Sequence, residues 1–392
     1  MLLLSAHRLK SLSTDKMDRI NYFCYYDFQD SKKPREGIQA ASSKIDYIID
    51  AINRCGVKVD IISKSPISSK GFNLDFGGVK NMGNNTIRHF FSCGCKDSPM
   101  RVLSRWIQNI HFFFWLLFNV KKNEEIIVYH SLGYCGLLSC IVKVKFCTVI
   151  GEIEEFYQDV HKYATSVCLL ESRFIQSCNK YIFPAALMDS KFNSQKKKSV
   201  VVHGVYKPVN ITEPKFSDGR IHVVYGGTFD SQKGGALAAA GIGKFLSKEY
   251  VVHICGFGNE ADKAKVLQVI DEVNKTSESH TVFEGQLNGE EYAKFIQKCH
   301  IGLSTQNPSG AFNDTSFPSK ILVYMANGLD VVTINIPVVK TSDVGDYLHF
   351  YDEQTSESIA EAVKNVKIGN LRFSEILKAI DAKFVNDIRE LL

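Results

Sequence analysis

The sequence predicts an α/β protein made of two doubly wound domains that face a cleft. Three observations lead there. A chain of 392 residues exceeds what one ordinary hydrophobic core serves. Short apolar runs alternate with segments of helical period in both halves. The alternation restarts after a polar stretch, "FNSQKKKS" (192–199) and "KPVNITEPKFSDGR" (207–220), which holds two of the nine prolines.

The first half opens with the strand-like run "RINYFCYYDF" from Arg19, followed by the loop "QDSKKPREG". In "IQAASSKIDYIIDAINRCG", Ile38, Ala41, Ile45, Ile48, Ile49 and Ile52 recur at helical spacing, and Gly56 ends the helix. "VKVDIIS" is the next strand, so a strand–helix–strand unit with parallel strands is expected. Further strands are expected at 124–131, 146–153, 180–185 and 199–206. The second half repeats this grammar: "RIHVVYGG", a small-residue helix over 233–246, "YVVHICGFG", a helix over 260–274, then "HTVFEG" and "NGEEYAKFIQKC". "HIGLSTQ", "NDTSFPSKILVYMANGLDVV", "YLHFYDE" and helices over 356–366 and 371–391 complete it. Asn288, with Glu291 three residues on, reads as a capping box. The expected division is an N-terminal extension (1–18), a first domain (19–206), a second domain (207–370) and a terminal helix (371–392).

Composition is that of a soluble globular protein, 45% hydrophobic and 23% charged. A net charge of +5 suits an anionic ligand or lipid surface and is too small for a dedicated nucleic-acid binder. The eleven cysteines form no C-x-x-C pair, and several lie in apolar runs, which points to a reducing, cytoplasmic setting. The three leucines at the start are too few for a secretory signal. "FFFWLLF" (112–118) is too short to span a bilayer. With Arg101, Arg105, Lys121 and Lys122 around it, the 101–122 segment reads either as a buried helix or as a surface that docks on the inner membrane face.

In open α/β sheets, ligands bind beyond the C-terminal ends of the strands. Three second-half strands end there in loops fit for a diphosphate. Gly226 and Gly227 would let the backbone approach, with Lys233 as a point charge. Gly256 and Gly258 leave the second strand. The third loop, 316–320, holds Ser316, Phe317, Ser319 and Lys320, with Pro318 in the first helical turn and free backbone N–H groups for an anion. In the first half, His130 reads either as a general base beside the acceptor or as a satisfied core histidine. Glu152 and Glu154, on one face by strand alternation, read as acceptor contacts or as a solvated strand end. Gly37 would let a loop approach the acceptor or the donor phosphate.

Together "GGTF…KGG", "CGFGNE", "FEGQLNGEEYAKFIQKCHIGLS" and "FPSKILVYMANGLDVV" resemble the C-terminal domain of GT-B glycosyltransferases, nearest to glycosyltransferase family 4 (glycosyl transferases group 1). "YHSLGY", "GEIEEFYQDV" and "VVHGVY" resemble bacterial polysaccharide members. The resemblance covers roughly 19–366 and implies two Rossmann-like domains, a nucleotide-diphosphate sugar bound by the second-half loops, and a terminal helix crossing back to the first domain. The family's pair of glutamates falls on Thr315 and Val323, and its phosphate arginine falls near Thr228 or Phe229. Lys320 would then supply the missing positive charge.

No Asp-x-Asp, H-E-x-x-H, G-x-S-x-G or P-loop motif occurs, and no G-x-G-x-x-G follows the first strand. The expectation is a metal-independent glycosyltransferase of the hexosyltransferase type with no cofactor beyond its donor, and the resemblance implies retention of anomeric configuration. It would act on a glycan or lipid-linked glycan in bacterial surface polysaccharide synthesis. The alternatives are a catalytically degenerate scaffold, and a nucleotide-sugar epimerase or hydrolase of the same shape.

Overall fold

The computed structural model describes residues 17–27, 35–36, 39–67, 73–94, 99–160, 163–230, 235–308, 313, 316–369 and 372–392. The first domain runs β1 (Arg19–Phe23), α1 (Gln39–Arg54), β2 (Lys58–Ser63), β3 (Asn73–Asp75), β4 (Gly78–Met82), β5 (Asn85–His89), β6 (Ser92–Gly94) and α2 (Pro99–Asn119). It continues with β7 (Glu125–Tyr129), α3 (Leu132–Lys145), β8 (Thr148–Glu152), α4 (Tyr157–Val160), α5 (Thr165–Ser177), β9 (Lys180–Phe183), α6 (Ala186–Phe192) and β10 (Ser199–Val201). Its sheet has the order β10-β9-β8-β7-β1-β2-β5-β4, parallel except that β4 runs antiparallel to β5. β3 and β6 form a separate antiparallel ribbon.

The second domain runs β11 (Ile221–Thr228), α7 (Ala236–Gly241), β12 (Tyr250–Phe257), α8 (Glu260–Thr276), β13 (His280–Gly285), α9 (Gly289–Lys298) and β14 (Ile301–Ser304). Then come α10 (Lys320–Ala326), β15 (Asp330–Ile334), α11 (Pro337–Lys340), β16 (His349–Tyr351), α12 (Ser356–Lys364) and α13 (Phe373–Leu391). The six strands are parallel in the order β13-β12-β11-β14-β15-β16. Taken in chain order within the domain, this is the doubly wound nucleotide-binding arrangement, with its switch point between β11 and β14. The equivalent crevice of the first domain lies between β1 and β7. Helices cover both faces, so every residue of β15 is buried, Asp330 included.

Several ends differ from expectation for local reasons. β10 stops at Val201 because the chain turns, with the His203 amide donating to the Tyr206 hydroxyl at 2.8 Å. The helix expected over 233–246 begins at Ala236 and tightens to a 3₁₀ turn through Phe245. Its glycines are there for contact: a Cβ on Gly243 would lie 2.5 Å from Val273 Cγ1 of α8. Asn288 makes no side-chain cap, and α9 starts at Gly289 with φ of 54°. True side-chain caps occur at Asn259, whose Oδ1 accepts from the Asp262 amide at 2.8 Å, and at Thr355, whose Oγ1 accepts from Ser358 at 3.1 Å. The described cysteines are free thiols. Among the described residues no helix is long and apolar enough to cross a membrane.

α13 leaves the second domain and lies on α1 and β10 of the first. Phe384 stacks on Tyr47 at 5.1 Å, and the Tyr47 hydroxyl donates to Asp381 Oδ1 at 2.8 Å. Lys198 Nζ donates to the Glu390 carbonyl at 3.1 Å. One continuous apolar cluster runs from Ile20 and Tyr47 through Tyr206 and Phe384 into the second domain. Phe384→Ala, which empties a fully buried site, is expected to lower the unfolding free energy by about 3 kcal/mol. Arg54→Ala removes the partly exposed ion pairs to Asp381 and Asp50 and should cost less than about 1 kcal/mol. Denaturant midpoints of the two variants check this, and equal midpoints would show that α13 is not held by its apolar face.

Candidate functional site

On the second domain, β11 ends in Tyr225-Gly226-Gly227. The Gly226 amide donates to the Tyr324 hydroxyl at 2.9 Å, and a Cβ at Gly226 would come within 2.1 Å of the Tyr292 hydroxyl. A Cβ at Gly227 would lie 2.2 Å from Lys320 Nζ. The lysine ammonium therefore rests on bare backbone, 4.6 Å from the centre of the Tyr225 ring. Lys320 makes no hydrogen bond or ion pair with any described residue, and burial alone pulls its ammonium down to about 8. An ammonium withdrawn from water with no counter-charge is an unfilled electrostatic demand, which an anion would meet.

The other second-domain residues divide by role. Gly256 has φ of 157°, and a Cβ there would stand 1.9 Å from the Gly227 carbonyl oxygen, so it brings the ends of β11 and β12 together. A Cβ on Gly258 would meet Phe229 Cβ at 2.8 Å. Phe317 is buried, with its ring 4.8 Å from that of His203, just after β10. Ser316 is half-buried and Ser319 exposed. α10 begins at Lys320 rather than at Pro318, Ser319 gives no side-chain cap, and Val323 is 41% exposed. Lys233, Thr315 and Gly37 lie outside the described residues.

A second set at this edge escaped the sequence reading. Thr305 Oγ1 and Gln354 Nε2 are buried without a partner among the described residues. Both flank Gly235, where a Cβ would lie 2.1 Å from Gln354 Nε2 and 2.7 Å from Thr305 Oγ1. Thr305 stands directly beyond β14, at the switch point. The signal was present in "LSTQ", hydroxyl residues where an apolar strand ends.

In the first domain the two glutamates that strand alternation groups stay neighbours but differ in exposure. β8 ends at Glu152, whose side chain is fully buried and accepts from the Tyr22 hydroxyl. It is thus neither a solvated strand end nor open to an acceptor. Burial, and then the neighbouring Glu154, push its carboxyl up to about 8. Glu154 stays partly accessible and pairs with Lys44 of α1 at 2.6 Å. His130 is buried between Tyr157 and Phe174, at ring distances of 4.9 and 6.2 Å. Its Nδ1–H donates to the Glu155 carbonyl at 3.0 Å, while Nε2 lies 3.3 Å from Glu171 Oε1 without hydrogen-bond alignment. Burial pulls its imidazole down to about 4. This is the geometry of a core histidine, with no open route for a proton to an acceptor.

Beyond the first-domain crevice opens a cavity of about 610 Å³, lined by Tyr25, Lys64 and Gly133 at strand ends and by Arg105, Gln108 and Asn109 of α2. Lys64 is a lone lysine just past an apolar strand, and Gln108 is a polar residue on the buried face of α2, so neither belongs to a recognisable pattern.

No protein-family model and no curated protein matches the chain. Solved structures do. One, described as trehalose-6-phosphate from E. coli bound with UDP-2-fluoro glucose, aligns over 95% of this chain and 97% of its own, with TM-score 0.64 and 10% identity. A sucrose-phosphate synthase from Thermosynechococcus elongatus aligns over 95% and 94%, with TM-score 0.62 and 11% identity. A UDP-forming trehalose-phosphate synthase from Burkholderia xenovorans, in complex with glucose-6-phosphate, aligns over 95% and 96%, with TM-score 0.55 and 11% identity. The chain has the GT-B fold. In GT-B terms, Gly227, Thr305 and Lys320 stand on the C-terminal domain's side of the cleft, and Tyr25, Lys64 and Gly133 on the N-terminal domain's side.

The folded state keeps the Glu152 proton up to about 8, whereas the unfolded chain releases it near 4.5. The native state therefore binds more protons between these values, and stability falls as pH rises across them. Glu152→Gln removes that dependence. Its melting temperature relative to the unsubstituted protein should rise by several degrees between pH 5 and pH 8.5, and a constant difference would show that this carboxyl titrates normally.

Proposed function

We propose that the protein is a glycosyltransferase that moves a sugar from a nucleotide-diphosphate donor to a hydroxyl of a glycan or lipid-linked glycan. The observation that carries this reading is the unpaired Lys320 ammonium seated on Gly227 at the strand-end crevice. Such a group is preorganised to stabilise the diphosphate as it leaves, where negative charge grows in the transition state. Lys233 adds a second charge to the same leaving group, so the reaction runs without a metal ion. Thr305 and Gln354 offer a hydroxyl and an amide to the donor. On the opposite side Glu154, held by Lys44, is the carboxylate that orients the acceptor. Solved structures of the same fold that hold UDP-2-fluoro glucose and glucose-6-phosphate support a nucleotide-sugar donor and a sugar acceptor.

The finer reading is retention of anomeric configuration, with a role in bacterial surface polysaccharide synthesis at the inner membrane face. Peripheral attachment is assigned to α2. Exposed Val323, in place of a ribose-binding glutamate, favours a second reading as a degenerate scaffold.

Calorimetry with UDP and GDP tests the proposal. Lys320→Met should weaken nucleotide-diphosphate binding about tenfold or more. Binding by the unsubstituted protein should weaken as pH rises through about 8, because the free ammonium loses its proton there and an anion must then restore it. The Lys320→Met variant should show no such fall. Lys233→Ala should reduce turnover. If neither nucleotide binds, the scaffold reading stands; if a donor is consumed without acceptor, the protein is a hydrolase or epimerase.

A further inference from the structure

The cavity beside α2 holds more hydrogen-bond donors than its own residues use. Lys64 is 4% exposed, and its Nζ donates to the Gly133 carbonyl at 2.9 Å, leaving two of the ammonium's three donors. Among the described residues it has no carboxylate partner, and it lies 4.9 and 5.4 Å from the ring centres of Phe112 and Tyr134. Gln108 is 5% exposed, and its Nε2 has no partner among the described residues. A buried amide left unsatisfied costs about 1–3 kcal/mol, so such groups are normally matched by a ligand or water when they persist. Arg105 adds a guanidinium at the mouth. The one carboxylate among the described lining residues, Glu36, lies 3.4 Å from Arg101. Donors and positive charge converge on a space of about 610 Å³, far larger than one phosphate needs.

The same helix carries an apolar face turned outward. Leu103, Trp106, Ile110, Phe114 and Phe118 are each more than half exposed and recur at helical spacing. Soluble monomers rarely expose so continuous an apolar stripe. α2 contains no acidic residue, and its ends carry Arg101, Arg105 and, just beyond, Lys121 and Lys122. Against α2 packs α3, with Lys143 and Lys145, exposed Val144 and exposed Phe146 beside it. Apolar side chains within a basic rim complement an anionic lipid surface. Arg105 and Asn109 belong to the cavity wall, while Trp106 and Ile110, one position on, belong to the stripe.

We propose that this cavity binds the phosphate group of a lipid-borne acceptor, with α2 lying in the plane of an anionic membrane so that the cavity mouth meets the headgroups. Calling the ligand an acceptor rests on the glycosyltransferase reading; the phosphate and lipid contacts do not. Lys64 and Gln108 take the phosphate oxygens as donors, and Arg105 closes over them from the helix.

The test is co-sedimentation of the full chain with phosphatidylcholine vesicles, alone or with phosphatidate or phosphatidylserine. Binding to phosphatidate vesicles should be at least tenfold tighter than to phosphatidylcholine alone. Trp106→Asp with Phe114→Asp should abolish vesicle binding and leave UDP binding intact. Lys64→Met and Gln108→Leu should keep binding to phosphatidylserine but lose the preference for phosphatidate. Gln108→Leu replaces an unpartnered amide with an apolar group, so it serves even if Lys64→Met fails to fold. Equal binding to phosphatidylcholine alone, or an unchanged phosphatidate preference in both variants, would overturn the proposal. So would glycerol 3-phosphate bound as tightly as phosphatidate vesicles, which assigns the cavity to a free phosphate. Self-association through α2 without vesicle binding would assign the stripe to a second copy and also overturn it. A phosphatidate preference retained in a protein that binds no nucleotide would support the cavity and remove the donor reading.

Discussion

Parallel strands must all end at the same edge, and everything chemical in this protein depends on that constraint. Most of the parallel strands return through a helix to start again at the far side, so loop residues after the strands collect along one rim. Where the helices switch from one face of the sheet to the other, the rim splits into a crevice. The two sheets each have one such place, between β1 and β7 and between β11 and β14. Both crevices receive a lysine largely withdrawn from water and, among the described residues, given no carboxylate. Lys64 and Lys320 are each pulled down to about 8 by burial alone. The fold thus places one such lysine beyond each sheet.

The glycines of the second domain show how narrow the tolerance is. Gly227 accommodates the Lys320 ammonium, and Gly256 accommodates the Gly227 carbonyl. The lysine seat therefore depends on two strands ending close together, one layer behind another. Side chains at either position would move the charge before they touched any ligand.

Much of the architecture was legible because apolar period is set by burial, and burial in a doubly wound domain is uniform. Strand and helix order followed from that pattern, and so did the three strand-end loops. Strand ends were less legible, since they depend on distant partners: β10 stops where Tyr206 captures the His203 amide. Alternation grouped Glu152 with Glu154 but did not show that Glu152 is fully buried and accepts from the Tyr22 hydroxyl. Asn288 and Glu291 had the spacing of a capping box without the contact. Lys64 and Gln108 were invisible for another reason. Each is a single polar residue whose meaning comes from the cavity around it, and one residue has no period. The 101–122 segment had been given two exclusive readings. The structure buries Phe112 and Leu116 on one face of this helix and exposes Trp106 and Phe118 on another.

The chain passes between the domains twice, once after β10 and once between α12 and α13, where the terminal helix settles on α1. Two bodies tied at a single point can swivel in any direction, but two bodies tied at two points turn about the line that joins them. α13 thus converts a flexible joint into a door on a pair of pins. Gly227 and Lys320 would sweep toward the N-terminal domain along one arc, and return along the same arc, rather than sliding or twisting past it.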